Sequence, residues 1–248
     1  MRFLFIIFLV SSMLWAKEKD EDGQTDNLIM FSIYHTFQIP GGDLKKRFGN
    51  NSNIGCLLAY KTNKNIIFSL GGGGLFGSNV KESNLFNNID GNNGYLISQI
   101  GELPTIRLFE RGGYIDISVG KYFLLPIEKS ESGILISIGT GYLYHKIFIE
   151  TLVTALPQLS DDLLKGYDRL SGGLFTKQSI EYLHFGKKNN IRYSLGVECI
   201  EGFTKDLRGY NYTLQEHTVN TRIDYLFGIK CGIIIPLQER TTERYYYY

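Results

Sequence analysis

Three stretches of this chain alternate apolar and polar residues with a period of two, and that alternation limits the fold more than any other feature. They are Tyr114-Ile115-Asp116-Ile117-Ser118-Val119-Gly120, Ile134-Leu135-Ile136-Ser137-Ile138-Gly139 and Arg222-Ile223-Asp224-Tyr225-Leu226-Phe227-Gly228-Ile229-Lys230. A period of two is that of a β-strand with two unlike faces. Here one face is aliphatic or aromatic, and the other carries charge, serine or glycine. Periodicity alone does not separate a soluble sandwich, apolar within, from a membrane barrel, apolar without. Glycine and charge gathered on one face, in a chain that opens with an export signal, favour a barrel with lipid outside and a polar filling inside.

The export signal is residues 1–16. Arg2 precedes the apolar run Phe3-Leu4-Phe5-Ile6-Ile7-Phe8-Leu9-Val10, and Leu14-Trp15-Ala16 precedes the charged Lys17-Glu18-Lys19-Asp20. This is the layout of a secretory signal peptide, with cleavage expected after Ala16 although Leu14 is larger than the residue usually found there. The run is too short for the roughly 20 apolar residues of a spanning helix, and no other stretch supplies them. No cysteine lies near the cleavage site, which argues against an N-terminal lipid anchor.

The formal net charge is +1. That balance points to neither a nucleic-acid partner nor a polybasic membrane-surface mode. The three cysteines, Cys56, Cys199 and Cys231, are odd in number and far apart in sequence. By alternation each falls on the apolar side of its strand, where it reads as a small hydrophobe and not as a disulfide partner or ligand.

Strands are predicted at 28–37, 53–61, 66–77, 112–123, 133–146, 173–185, 191–203 and 219–236, making eight. Connections near 62–65, 124–132 and 186–190 are short and rich in turn residues. Those at 38–52, 78–111, 147–172 and 204–218 are longer. Short periplasmic turns and longer outer loops are the pattern of bacterial transmembrane barrels, so both termini are expected in the periplasm. The resulting organisation is a signal peptide at 1–16, a polar segment at 17–27, an antiparallel up-and-down β-barrel at 28–237 and a tyrosine-rich tail at 238–248. Tyr95 to Ile100 and Thr105 to Phe109 also have strand character. They read as a β-ribbon rising above the barrel within the second loop, with ten strands as the alternative. In the strand at 173–185 the best register leaves Gln178 facing lipid unless a bulge intervenes.

Alternation carried inward assigns Asp116, Lys177, Glu181, Arg192, Glu198, Arg222, Asp224 and Lys230 to the lumen. Eight strands enclose a space just wide enough for side chains to fill. Buried charges there must be paired, which gives a salt-bridged plug, with a proton or ion pathway as the other reading. An open diffusion pore needs many more strands. The run Gly71-Gly72-Gly73-Gly74 lacks the Gly-Lys-Ser/Thr of a phosphate loop, and Gly139-Thr140-Gly141 lacks the third glycine of a dinucleotide fingerprint. The glycines instead make room for bulky neighbours such as Tyr34, Tyr114 and Tyr122 inside a narrow barrel, or permit tight curvature. His35, His145, His184 and His217 are scattered without metal-ligand spacing, and no cofactor is implied. Ser83, Asp206 and His217 lie in outer loops, too generic a set to indicate catalysis.

Two loop segments are better candidates for a binding surface. Arg107-Leu108-Phe109-Glu110-Arg111-Gly112-Gly113 offers Arg107, Phe109 and Arg111; Gly166-Tyr167-Asp168-Arg169-Leu170-Ser171-Gly172-Gly173 offers Tyr167, Asp168 and Arg169. Arginine and tyrosine are favoured interface anchors, although local Arg–carboxylate pairing that orders the loop base gives the same pattern. The tail ends in Tyr245, Tyr246, Tyr247 and Tyr248. Such rings suit either a membrane interface or the surface of a periplasmic partner.

On its signal peptide, eight paired strands and closing strand Ile223 to Pro236, the chain resembles the small outer-membrane β-barrel proteins of Gram-negative bacteria, most of all the porT-like barrels of Bacteroidota-type envelopes. The tyrosine tail departs from the commoner arrangement in which an aromatic residue ends the final strand itself. The resemblance implies an integral outer-membrane protein in contact with lipid, and in some members service to secretion or barrel-assembly machines. The expected function is a non-enzymatic barrel that docks an envelope protein through its outer loops or tail. The alternative is a barrel that binds a small molecule, lipid or surface ligand, with lipid modification as its stronger form.

Overall fold

The computed structural model describes residues 27–82, 84–89, 96, 98, 101–125, 132–152, 156, 159, 161–185, 192–217 and 221–237. Eight strands form a closed antiparallel barrel: β1 (Leu28–Gly42), β2 (Asn51–Lys61), β3 (Ile66–Gly77), β4 (Thr105–Leu124), β5 (Gly133–Leu152), β6 (Ser171–His184), β7 (Tyr193–Asp206) and β8 (Thr221–Pro236). Each strand pairs with the next in sequence, and β1 closes the ring on β8 from Met30↔Pro236 to Gly42↔Asp224. Two single-turn helices, α1 (Leu44–Arg47) and α2 (Asp161–Leu164), lie in the connections at the end opposite the tight turns. That end is called the loop end, and the other the turn end.

The outer wall follows the alternation read from the sequence. Ile33, Phe37, Ile54, Leu58, Phe68, Leu70, Ile115, Ile117, Val119, Ile138, Ile180, Leu195, Val197, Phe227, Ile229 and Ile233 all point outward and are exposed. A monomer in water does not display apolar surface of this extent, whereas lipid solvates it at no cost. Closure also leaves no strand edge unpaired, as a hydrocarbon environment requires. Aromatic residues mark both rims of the wall: Phe37, Phe76, Phe148 and Phe203 toward the loop end, Tyr60, Phe123 and Tyr193 toward the turn end.

Several expectations need adjusting. The ring has eight strands, so the ten-strand alternative fails. Residues 105–109 do rise above the barrel, but as the start of β4, paired from Thr105↔Leu152 to Phe109↔Phe148 with residues expected to lie in the next loop; most of 95–100 lies outside the described residues. β3 ends opposite Glu110 and β6 begins opposite His145, so among the described strands β4 and β5 have no other strand neighbour beyond that level. They stand about 16 Å past the rim, taking five residues at ~3.3 Å each. In β6 the register runs without a bulge, and Gln178 does face outward, where its Nε2 donates to Thr176 Oγ1 at 3.3 Å. Cys56, Cys199 and Cys231 are free thiols on the outer face, as alternation requires.

Candidate functional site

Polar chemistry converges in the lumen. At the turn end it has an apolar floor of Met30, Ala59, Ile67, Tyr122, Leu135, Leu183 and Ile234. Above the floor, six strands each contribute one inward serine: Ser32, Ser69, Ser118, Ser137, Ser179 and Ser194. Ser69 and Ser118 are hydrogen-bonded at 2.6 Å, and Ser137 and Ser179 at 2.7 Å. The serines line a cavity of about 30 Å³, space for a water or two and far below that of a small-molecule site.

Over this cavity sit the predicted lumen charges. The Lys177 ammonium donates to Asp116, and Lys230 Nζ donates to Glu181 Oε1 at 2.9 Å. Lys230 also lies 4.4 Å from the centre of the Tyr34 ring, a cation–π contact. Tyr34 and Tyr114 share a hydrogen bond at 3.1 Å, and Gln38 Nε2 donates to Glu198 Oε1 at 3.3 Å. Narrowness is accommodated by glycine, though not as the sequence suggested. The inward members of the glycine run, Gly71 and Gly73, leave space for Asp116 and Asn53; Tyr34 occupies the space beside Gly55, and Tyr122 that beside Gly133.

Toward the loop end the filling changes. Asn51 Nδ2 donates to Glu110 Oε2 at 3.0 Å, while Asp224 joins His145 Nε2 at 3.1 Å and accepts from Thr204 Oγ1. His145 is therefore fully interior. Several buried oxygens in this layer, Glu110 Oε1, Glu198 Oε2, Asp224 Oδ1 and Asn53 Oδ1, have no hydrogen-bond partner among the described residues. Beyond it a large apolar cluster joins lumen residues Leu75, Leu143, Phe175, Ile200 and Leu226 to loop residues Leu44, Phe48, Leu85, Leu156, Leu159 and Tyr167 and to the inner face of the ribbon, Ile147 and Ile149. Among the described residues no group of three His, Cys, Asp or Glu is disposed to hold a metal ion.

The mouth is held shut by a charged cap. Arg47 Nε donates to Glu82 Oε1 at 2.8 Å, and its Nη1 donates to Arg169 O and Ser171 Oγ, both at 3.1 Å. Glu82 Oε2 accepts from Arg169 Nε at 3.1 Å, so one carboxylate joins two connections. Burial disfavours the Glu82 carboxylate, but Arg47 and Arg169 outweigh that effect and hold its pKa below the usual carboxylate value. Arg222 pairs with Asp206 at 3.0 Å, and Asp206 also accepts from Ser171 Oγ. Arg208 grips Asp168 with both Nε and Nη2, at 3.0 and 2.6 Å. That hydrogen bonding raises the Arg208 pKa further above its ordinary value. Tyr167 bonds Asn88 and packs edge-on against Tyr212 and tilted against Phe86.

The sequence candidates thus separate. Tyr167, Asp168 and Arg169 come together inside the cap, paired with residues far away in sequence and not with one another. Arg107, Phe109 and Arg111 lie on the opposite surface, the outer face of the ribbon, and do not meet them. Tyr245 to Tyr248 fall outside the described residues, as does Ser83. Asp206 is engaged by Arg222 and Ser171, and His217 Nδ1 bonds Gly209 O at 2.6 Å, so those two do not join. Sequence reasoning missed Arg47, Glu82 and Arg208. Arg47 ends the single turn of α1, and Glu82 and Arg208 lie in irregular connections, so no periodicity marks any of them. The serine ring was accessible by counting alternate residues in the strands already assigned.

A closed antiparallel barrel with a lipid-type exterior, a filled lumen and long connections at one end defines a transmembrane β-barrel of the outer-membrane type. No family model and no curated protein sequence matches the chain. Among solved structures it is similar to the attachment invasion locus protein Ail of Yersinia pestis, with 9% identity and a TM-score of 0.41 over 85% of this chain and 100% of that one. It is also similar to the N-terminal β-barrel domain of Pseudomonas aeruginosa OprF (8%, 0.37, over 85% and 100%) and to OprG of the same organism (11%, 0.36, over 86% and 97%). Likenesses this distant carry no functional argument.

Proposed function

We infer that this protein is a non-enzymatic outer-membrane barrel that acts by presenting a rigid loop-end surface to another component of the envelope, with both termini in the periplasm. The observation that carries this reading is the pairing of a sealed lumen with a built cap. The interior is occupied from the apolar floor to the Arg47–Glu82–Arg169 cluster, which supports neither diffusion nor a substrate pocket. Meanwhile β4 and β5, at 20 residues each, run well past the roughly 9–11 that a strand needs to cross a bilayer. Length beyond the span, braced by an apolar core beneath it, is suited to contact outside the membrane. The porT-like resemblance makes secretion or outer-membrane assembly the setting in which such an accessory would serve, and the Tyr245–Tyr248 tail a second contact on the periplasmic side.

The test is gentle extraction of tagged protein from native outer membranes, followed by the mass and composition of the particle. A stoichiometric partner, lost when residues 105–109 and 148–152 are both deleted and each strand is rejoined directly to its own connection, is the expected result. A lone barrel in every extraction condition would end the docking reading. The small-molecule alternative gains no support from a cavity of about 30 Å³.

A further inference from the structure

The outer face of the ribbon carries a charge arrangement that the docking reading does not use. Arg111 of β4 stands directly opposite Lys146 of β5, and alternation turns both outward. Like charges facing one another across a strand pair repel, so this pair destabilises the ribbon unless an anion lies between them. The next outward pair along the ribbon is Phe109↔Phe148, and the one after it is Arg107↔Glu150, which is neutral. The positive charge is therefore concentrated at one level.

That level is set by the membrane. On β4 the outward residues Val119, Ile117, Ile115 and Gly113 separate Lys121 from Arg111; on β5 the outward run from Ile134 to Tyr144 precedes Lys146. Ten residues at ~3.3 Å each and a tilt near 40–45° rise about 24 Å, the height of a barrel's apolar band. Lys121 and Arg111 thus bracket the hydrocarbon, with Arg111 and Lys146 at the loop-end interface. Three rings hold the Arg111 guanidinium there: Phe109, Phe76 and Phe148, with centroids at 5.0, 5.6 and 5.9 Å. One of its N–H groups donates to the Glu110 carbonyl at 2.9 Å, which leaves others for a ligand.

We propose that Arg111 and Lys146, framed by Phe76, Phe109 and Phe148, form a binding site for the phosphate of a phosphorylated lipid headgroup in the loop-end leaflet. A guanidinium presents paired donors that match phosphate geometry, an ammonium adds a point charge, and the Phe76 ring, level with Arg111, lies nearest the acyl chains while Phe109 and Phe148 stand on the headgroup side. The site requires the barrel to cross a bilayer, but does not require a protein partner. Its failure and that of the docking reading are therefore separable.

The test uses the full chain folded in detergent and incubated with a bisphosphorylated glucosamine lipid, with native mass spectrometry reading the lipid retained. The wild type is expected to keep one lipid. Arg111→Gln/Lys146→Gln should retain about tenfold less, as should the wild type given the dephosphorylated lipid. Lys121→Gln, at the other interface, should be unchanged, and millimolar inorganic phosphate should not displace the lipid. The heat-dependent electrophoretic shift of a folded barrel verifies folding of each variant. Lys146→Gln alone, which leaves Arg111 among its rings, serves if the double variant does not fold and is expected to show a partial loss. Equal retention by the variants, equal retention of the dephosphorylated lipid, or displacement by inorganic phosphate would each overturn the proposal.

Discussion

In the turn-end half of the lumen the polar groups come from strands, and their partners sit on neighbouring or facing strands at fixed register: Ser69 with Ser118, Ser137 with Ser179, Lys230 with Glu181. In the loop-end cap the partners come from connections. Arg47 reaches Arg169 across 122 residues of sequence, and Asp168 reaches Arg208 across 40. The first region is complete once the barrel closes, because register alone brings its members together. The second needs the connections to fold as well, so it can open locally while the barrel stays closed.

The sharpest way to break this comparison is to unpair a charge in the turn-end half. Glu181→Leu strands the Lys230 ammonium and should cost about 3–5 kcal/mol, read from urea titration of the reconstituted barrel by electrophoretic shift. Glu181→Leu/Lys230→Met should recover most of that loss. A single variant as stable as the wild type would mean that register does not hold these charges in a dry interior. Gly55→Ala tests the same half by volume. A Cβ there lies 2.5 Å from both Tyr34 Oη and the Gly72 carbonyl, and overpacking of this kind should cost about 1–3 kcal/mol.

The cap should respond differently. Arg47→Ala removes its links to Glu82, Arg169 O and Ser171. Amide exchange at Gly49 and Lys81, which bond Asn79 O and Arg47 O, should rise about tenfold, with the urea midpoint of the barrel unchanged. A shift of the midpoint would merge the two regions into one cooperative unit. Protonation offers a reversible version. Because the folded pKa of Glu82 is depressed, its contribution is fully present above the ordinary value of 4.5 and is lost as pH falls through the lower folded value. Cap exchange should therefore quicken only below pH 4.5, and Glu82→Gln should abolish that dependence. The smallest effect belongs to Lys46, whose bond to Asp43 is 2.8 Å but largely in solvent. Lys46→Ala should change stability by less than about 0.5 kcal/mol.

The same division explains what the sequence could disclose. Asp116, Lys177, Glu181, Glu198, Asp224 and Lys230 were assigned inward correctly because a period of two is a local property, readable strand by strand. Gln178 shows its limit: alternation placed it outward, and only the structure shows that Thr176 meets its amide. Thr105 to Phe109 read as a ribbon above the barrel but not as part of β4, because Arg107 and Arg111 interrupt the apolar outer column, and the partner at 148–152 read as loop. Pairing between distant segments is not written in either alone. The cap was illegible for the same reason. Tyr167, Asp168 and Arg169 were singled out as an exposed surface, yet Asn88, Arg208 and Glu82 draw them inward from three directions, and nothing in their own spacing foretells those partners.

The join between the first and last strands has a consequence for how the protein is made. β1 faces β8 along its length, and the join is pinned at both extremes: Asp43 exchanges hydrogen bonds with Ile223 at 3.0 and 3.1 Å, and Leu237 N–H donates to Ile29 O at 2.9 Å. Until residues 221–237 arrive, β1 and β7 each present a bare row of amides that hydrocarbon cannot satisfy. Insertion is therefore tied to the arrival of β8. A chain interrupted before β8 has no partial version of this wall to offer the bilayer, because two open edges would face hydrocarbon.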